Sequence, residues 1–114
     1  MNITLPAADA GIEITASQVS ELLPAISRGE LDLIDCREEE EWRFNHIPGA
    51  RLIPLSRFSE APSPTRPVIV YCHHGMRSLR AAAFLRARGV NDVWSMAGGI
   101  DRWSSEIDPT VPTY

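Results

Sequence analysis

Cysteine is scarce in this chain, with only Cys36 and Cys72 among 114 residues. Two thiols are too few for the disulfide framework of a small secreted domain, so a reducing cytoplasm is the expected compartment. No apolar run approaches the length that crosses a bilayer, which argues against a spanning helix. Met1 to Asp9 has neither a basic start nor a sustained apolar stretch, and no signal peptide is expected there. Positive charge is also short: 11 Lys and Arg against 15 Asp and Glu leave a formal charge of -4. That balance gives no general attraction to nucleic acid or to an anionic membrane, and neither is expected as a partner. The local exception, Arg77, Arg80, Arg86 and Arg88, reads as a solvated helix face or as a docking surface for an acidic partner.

What is present is an ordinary globular composition, 44% apolar and 23% charged. A chain of this length forms one domain that buries about two-thirds of its unfolded surface, without help from a metal or a disulfide. Residues 1–11 read as a loosely held lead-in, 12–108 as the domain and 109–114 as a tail. Ile12 to Ile14 alternates as a strand does, and Thr15 with Gln18 has capping-box spacing ahead of a helical pattern that Pro24 interrupts. Leu31 to Asp35 reads as the next strand, Glu38 to Phe44 as a short helix, Ala50 to Ile53 as a strand and Ser56 to Glu60 as one helical turn. After a proline-rich connector come a strand over Val68 to Tyr71, a helix over Arg77 to Arg88, a strand over Val93 to Met96 and a helix over Ile100 to Ser105. The alternation implies an α/β fold, with a central parallel five-stranded sheet and helices on both faces. Ligands of such sheets bind beyond the carboxyl ends of the strands, and Cys72 stands just beyond one.

The segment Cys72-His73-His74-Gly75-Met76-Arg77-Ser78 carries the chemistry. A helix N-terminus has unpaired N–H groups and a partial positive charge, so a cysteine on the loop that opens a helix has its pKa lowered and becomes a nucleophile. Gly75 lets the backbone curl until successive N–H groups point inward as an anion nest. The bland alternative for Cys72 is a buried structural thiol. Cys36 is more simply a packed thiol. Because it follows a strand beside that of Cys72, a Cys36–Cys72 disulfide with a resolving role is its second reading. His73 and His74 lack a zinc-type ligand spacing, adjacent histidines on a tight loop should point in different directions, and no metal is expected. Protonated, either would add positive charge over the site and favour anionic donors as pH falls.

This loop resembles the active-site loop of rhodanese-like sulfurtransferases, six residues running from a nucleophilic cysteine to a residue that is often arginine. Asp35-Cys36-Arg37 is similar to that family's Asp-x-Arg after its second strand, Glu41-Trp42 to its acidic-aromatic pair, and His46-Ile47-Pro48-Gly49-Ala50 to its His-Ile-Pro-Gly-Ala segment. Gly98-Gly99 with Trp103 resembles the segment that closes the domain, so the likeness runs from about Ile12 to Trp103. The resemblance implies a rhodanese-like fold and a persulfide relay without metal or organic cofactor. Cys72 would take a sulfane sulfur from a small donor, thiosulfate or a persulfide, and pass it to a thiol, cyanide or a protein acceptor. The N–H groups of residues 73 to 77, that is His73, His74, Gly75, Met76 and Arg77, would hold the thiolate and persulfide, and Arg77 the donor's anionic end. Asp35, Arg37 and His46 would support the loop, with Glu41 joining the Asp35–Arg37 pair, and the rest of the acidic run would be a solvated helix start. The chain departs from the pattern at His73 and His74, where thiosulfate-favouring loops carry Arg or Lys, at Cys36, where an aliphatic residue is usual, and at Asn45, where many members have glycine. Two other functions compete. One is a binding or regulatory module that kept the fold without the chemistry. The other is a cysteine-dependent phosphatase or arsenate reductase, whose loop holds five residues between Cys and Arg rather than four and would put Ser78 where arginine is needed.

Overall fold

Val68-Ile69-Val70-Tyr71 has no polar alternate positions, which suits a strand covered on both faces. In the computed structural model, which describes residues 5, 6 and 11–114, this segment is β4, the fully buried centre of a five-stranded sheet. With β1 (Glu13–Ile14), β2 (Asp32–Asp35), β3 (Arg51–Leu52) and β5 (Val93–Met96), the order is β1-β5-β4-β2-β3. Every pairing is parallel, so all the strands deliver their carboxyl ends to one edge.

The period-2 alternation of strand side chains divides the core in two. Leu33, Ile69, Tyr71, Trp94 and Met96 pack with residues of α1 (Ala16–Glu21), α2 (Leu23–Ser27) and α5 (Gly99–Glu106). Ile34, Val68, Val70 and Val93 pack with α4 (Met76–Ala87) and with Phe58 of a 3-10 helix at Leu55–Glu60. The expected α/β architecture with helices on both faces is therefore present. Cys36 and Cys72 both belong to the α4 side.

Local signals explain most boundaries. Thr15 and Gln18 form the reciprocal capping box that opens α1, at 2.8 and 3.0 Å. Pro24 stands in the first turn of α2, where its missing N–H costs nothing, so the expected break yields two short helices. The third strand is shorter than expected, Arg51–Leu52, because Ile53 N–H already turns to Asp35 O and Pro54 opens the 3-10 helix. The lead-in lies outside the described residues except at positions 5, 6 and 11; Leu5 packs against the α5-side core. In the expected tail, Val111 is buried, and Asn45 Nδ2 donates to Pro112 O at 2.5 Å. Among the described residues no helix is long and apolar enough to cross a membrane.

Candidate active site

Cys72 follows directly on β4, and α4 opens four residues later with Gly75 as its N-cap, at φ 105°. That left-handed conformation favours glycine, and a glycine cap offers no side-chain acceptor for the first helical N–H groups. The Cys72 sulfur takes the acceptor's place. Gly75 N–H donates to Sγ at 3.1 Å and Ser78 N–H at 3.3 Å; the Ser78 hydroxyl, 3.5 Å away, accepts from the thiol and donates once the sulfur is a thiolate. The carbonyls of the loop face the other way. Cys72 O accepts from Ile100 N–H at 2.8 Å and His73 O from Asp101 N–H at 3.1 Å, both in the first turn of α5. Gly99 permits this approach: at φ 60°, an added Cβ would lie 2.4 Å from both loop carbonyl oxygens.

The sulfur is almost entirely buried, which by itself opposes ionisation. Its pKa is nevertheless lowered to about 4. Cys36 is the largest cause, and together with Ser78 and the Gly75 amide it outweighs the burial. The same interaction, with burial, pushes the Cys36 thiol far up, so the pair shares one charge and Cys72 carries it. A second hydroxyl supports Ser78: Ser95 Oγ of β5 lies 2.7 Å from Ser78 Oγ, and both residues are fully buried.

Beneath the loop is a buried ion pair. Arg37 Nη2 lies 2.6 Å from Asp35 Oδ2, with both side chains at 0% exposure. Every N–H of the guanidinium is used. Nε bonds Asp35, Nη1 bonds Asn45 Oδ1 at 2.7 Å and the Tyr114 hydroxyl at 2.9 Å, and Nη2 bonds Asp35 and Asn45 O at 2.7 Å. Beside it, Arg77 forks onto Glu41 at 2.6 and 2.9 Å. Arg77, followed by the Tyr114 hydroxyl, which donates at 2.6 Å, holds the Glu41 carboxyl down at about 2. The Tyr114 ring stacks on His73, centroids 3.8 Å apart at 8°.

The sequence matches the rhodanese-like domain family over residues 18–106. The chain belongs to that family. This rhodanese-like chain is 33% identical over 105 residues to the thiosulfate sulfurtransferase GlpE of Haemophilus influenzae, covering 90% of this chain and 96% of that protein. It is 41% identical over 78 residues to the uncharacterized protein YqhL of Bacillus subtilis, covering 66% of this chain. It spans 62% of YqhL and 34% of a plant chloroplast relative that carries a rhodanese-like domain. A crystal structure of a rhodanese-related protein from Thermoplasma volcanium superposes with TM-score 0.73 at 29% identity, over 91% of this chain and all of that one.

Within the rhodanese-like frame the expected residues fall into three groups. Cys72 and Gly75 meet at the sulfur, and Asp35 with Arg37 forms the brace below. His74 and Met76 are exposed on the rim. His46 is also exposed, stacked on Trp42 with Nδ1 donating to Trp42 O at 2.9 Å. Three expectations need correction. The thiolate's backbone donors are Gly75 and Ser78, one of them beyond the range 73 to 77, because Ser78 holds the third helical position whose N–H a cap normally satisfies. Arg77 is not free over the loop, and Glu41 pairs with it instead of with Arg37 or with solvent. His73 and His74 do not diverge: their rings stack at 3.8 Å, and their ligating atoms lie with one from Asp101 within 4.8 Å of one another. Burial and then His74 lower the His73 pKa, so this ring takes up its proton only at a lower pH than a free imidazole.

Sequence reasoning missed the roles of Ser78, Ser95, Asn45 and Tyr114. The departure from glycine at Asn45 was a usable signal, since its side chain accepts from Arg37 and donates to Pro112 O. Ser78 was findable as the third residue of a helix with a glycine cap. Nothing local marks Tyr114.

Proposed function

We propose that this chain is a rhodanese-type sulfurtransferase that carries sulfane sulfur on Cys72. The supporting observation is a thiol with a pKa lowered to about 4, at the head of a six-residue loop from Cys72 to Arg77, with the Gly75 and Ser78 amides converging on its sulfur. The thiolate attacks the outer sulfur of thiosulfate; the S–S bond of the donor breaks, sulfite leaves with the bonding pair and Cys72 becomes Cys72–S–S⁻. An acceptor thiolate or cyanide then attacks the outer persulfide sulfur and returns Cys72 as a thiolate, a two-step covalent relay. Gly75 N–H and Ser78 hold negative charge on both sides of the cycle, in a dry site where fixed donors act strongly. Arg77, in the same segment, presents its cation to the donor's sulfonate only so far as Glu41 leaves it uncompensated. The chemistry needs both thiols reduced when unloaded, which suits the cytoplasm.

The four-residue spacing between Cys72 and Arg77 favours a single sulfur over a tetrahedral phosphate, and a persulfide donor fits the same attack. Intact-mass spectrometry after incubation with thiosulfate or a low-molecular-weight persulfide tests the proposal. One added sulfur atom is expected on the wild type and none on Cys72→Ser. No uptake from either donor would leave a binding module, and Cys72-dependent turnover of an aryl phosphate would leave a phosphatase.

A further inference from the structure

Cys36 is the second buried group that the relay does not consume. It lies one residue beyond β2, as Cys72 lies one residue beyond β4. The two strands pair in parallel through Asp35 and Tyr71, a pairing closed by Cys36 N–H donating to Tyr71 O at 3.0 Å, and Cys36 and Cys72 are the next residue on each. Paired positions on neighbouring strands lie about 4.8 Å apart, inside the Cα separation of about 4.4 to 6.8 Å that a disulfide requires. Both side chains project into the α4-side core, where the Cys36 thiol is near enough to help lower the pKa of Cys72. Exposures of 0% and 1% shut external thiols away from the inner sulfur of a loaded Cys72, and leave Cys36 as the thiol beside it on the same face of the sheet.

We propose that Cys36 resolves the Cys72 persulfide, releasing its sulfur as hydrosulfide and leaving a Cys36–Cys72 disulfide. The inference rests on the persulfide reading of Cys72. Cys36 Sγ forms a bond to Cys72 Sγ, the bond from Cys72 Sγ to the outer sulfur breaks, and the outer sulfur leaves with that electron pair. The Cys36 proton goes to the departing sulfur, so Cys72–S–S⁻ and Cys36–SH become Cys36–S–S–Cys72 and HS⁻. The sulfane sulfur is reduced to sulfide and the two thiols are oxidised to the disulfide, with no external oxidant. Hydrosulfide is a weaker base than an alkylthiolate and leaves readily. The disulfide holds both thiols oxidised, which makes the second activity a single-turnover release of sulfide from a sulfane donor. The two fates divide by position: an external acceptor attacks the outer sulfur and preserves the relay, whereas Cys36 attacks the inner one and ends it.

The test uses full-length, pre-reduced protein under anaerobic conditions, given thiosulfate without any acceptor thiol and quenched in acid. Wild type is expected to lose two hydrogens in intact mass and release one equivalent of sulfide per chain. Cys36→Ser and Cys36→Ala are expected to keep one added sulfur and release none, and both variants together guard against a folding defect in either. If wild type also retains the added sulfur, with no disulfide and no sulfide, the inference is overturned while the transfer reading stands. If neither wild type nor the Cys36 variants take up sulfur or release sulfide, the persulfide reading fails and this inference with it.

Discussion

Replacing Ser78 with alanine deletes one hydroxyl donor and leaves two backbone amides aimed at the Cys72 sulfur. A hydrogen bond to a charged group contributes about 1.5 to 3 kcal/mol, and a 3.5 Å contact belongs at the low end. Ser95 preserves that contact. Ser78 has one proton and three acceptors within reach, Sγ, Gly75 O at 3.3 Å and Ser95 Oγ at 2.7 Å; with Ser95 donating, the proton is left for the sulfur or the carbonyl. At about 1.4 kcal/mol per pKa unit, Cys72 should titrate about one unit higher in the variant. The sign has an unusual consequence. The wild-type pKa of about 4 is depressed, so the thiolate is already complete at neutral pH in both proteins. Because nucleophilicity rises with thiol basicity, with a slope of about 0.4 to 0.5, Ser78→Ala should be alkylated about threefold faster at pH 7. Below the wild-type pKa the order reverses. Iodoacetamide labelling of the Cys72 peptide across pH, with circular dichroism to confirm folding at each point, measures both limbs. Superimposable profiles would refute the hydroxyl's role, and a variant thiol titrating in the ordinary range would refute the reading that the amides act independently of it.

Arg37→Ala should cost about 3 to 5 kcal/mol in denaturant unfolding, because it strands the buried Asp35 carboxylate; a loss below about 1 kcal/mol would contradict the brace. Gly99→Ala places a methyl 2.4 Å from two carbonyl oxygens at a left-handed φ, so both folding stability and the rate of sulfur loading should fall, and an unchanged loading rate would show that the loop does not need α5. Glu41→Gln uncovers the charge of Arg77 and should lower the thiosulfate KM in a sulfite-release assay; a KM that rises or stays level would remove Glu41 as the group that restrains Arg77. The Glu41 carboxyl is depressed from 4.5 to about 2, so its stabilisation is complete above 4.5 and fades as pH falls through about 2. Acid unfolding curves of wild type and Glu41→Gln should therefore differ near neutrality, by a modest amount given the partial exposure of both partners, and converge at the acid end.

The fold was legible where one period dominated. Val68–Tyr71 coincides with its strand because it is an apolar run bounded by loop residues, and Val93–Met96 does so because it is apolar except at Ser95. Pro24 marked a helix break because its effect is local and steric. At the site, the cysteine and its glycine were readable from their place between a strand and a helix, and the Asp35–Arg37 pair from the family resemblance. The Glu41–Arg77 fork joins residues 36 apart, and the Tyr114–Arg37 bond residues 77 apart, so neither left a local trace. Ser78 showed only by its position in the helix, since its contribution is half main chain, which no residue type announces.

The loop's peptide groups are turned inside out, amides toward the sulfur and carbonyls toward α5. Reactivity is thereby written in the backbone and steric permission in glycines, while the side chains at 73, 74 and 76 stand outside that circuit. Evolution can then change these three positions to fit new donors or acceptors without retuning the nucleophile. The two histidines are a place where recognition drifts while the chemistry stays still, and a library built there samples specificity at little risk to the thiolate.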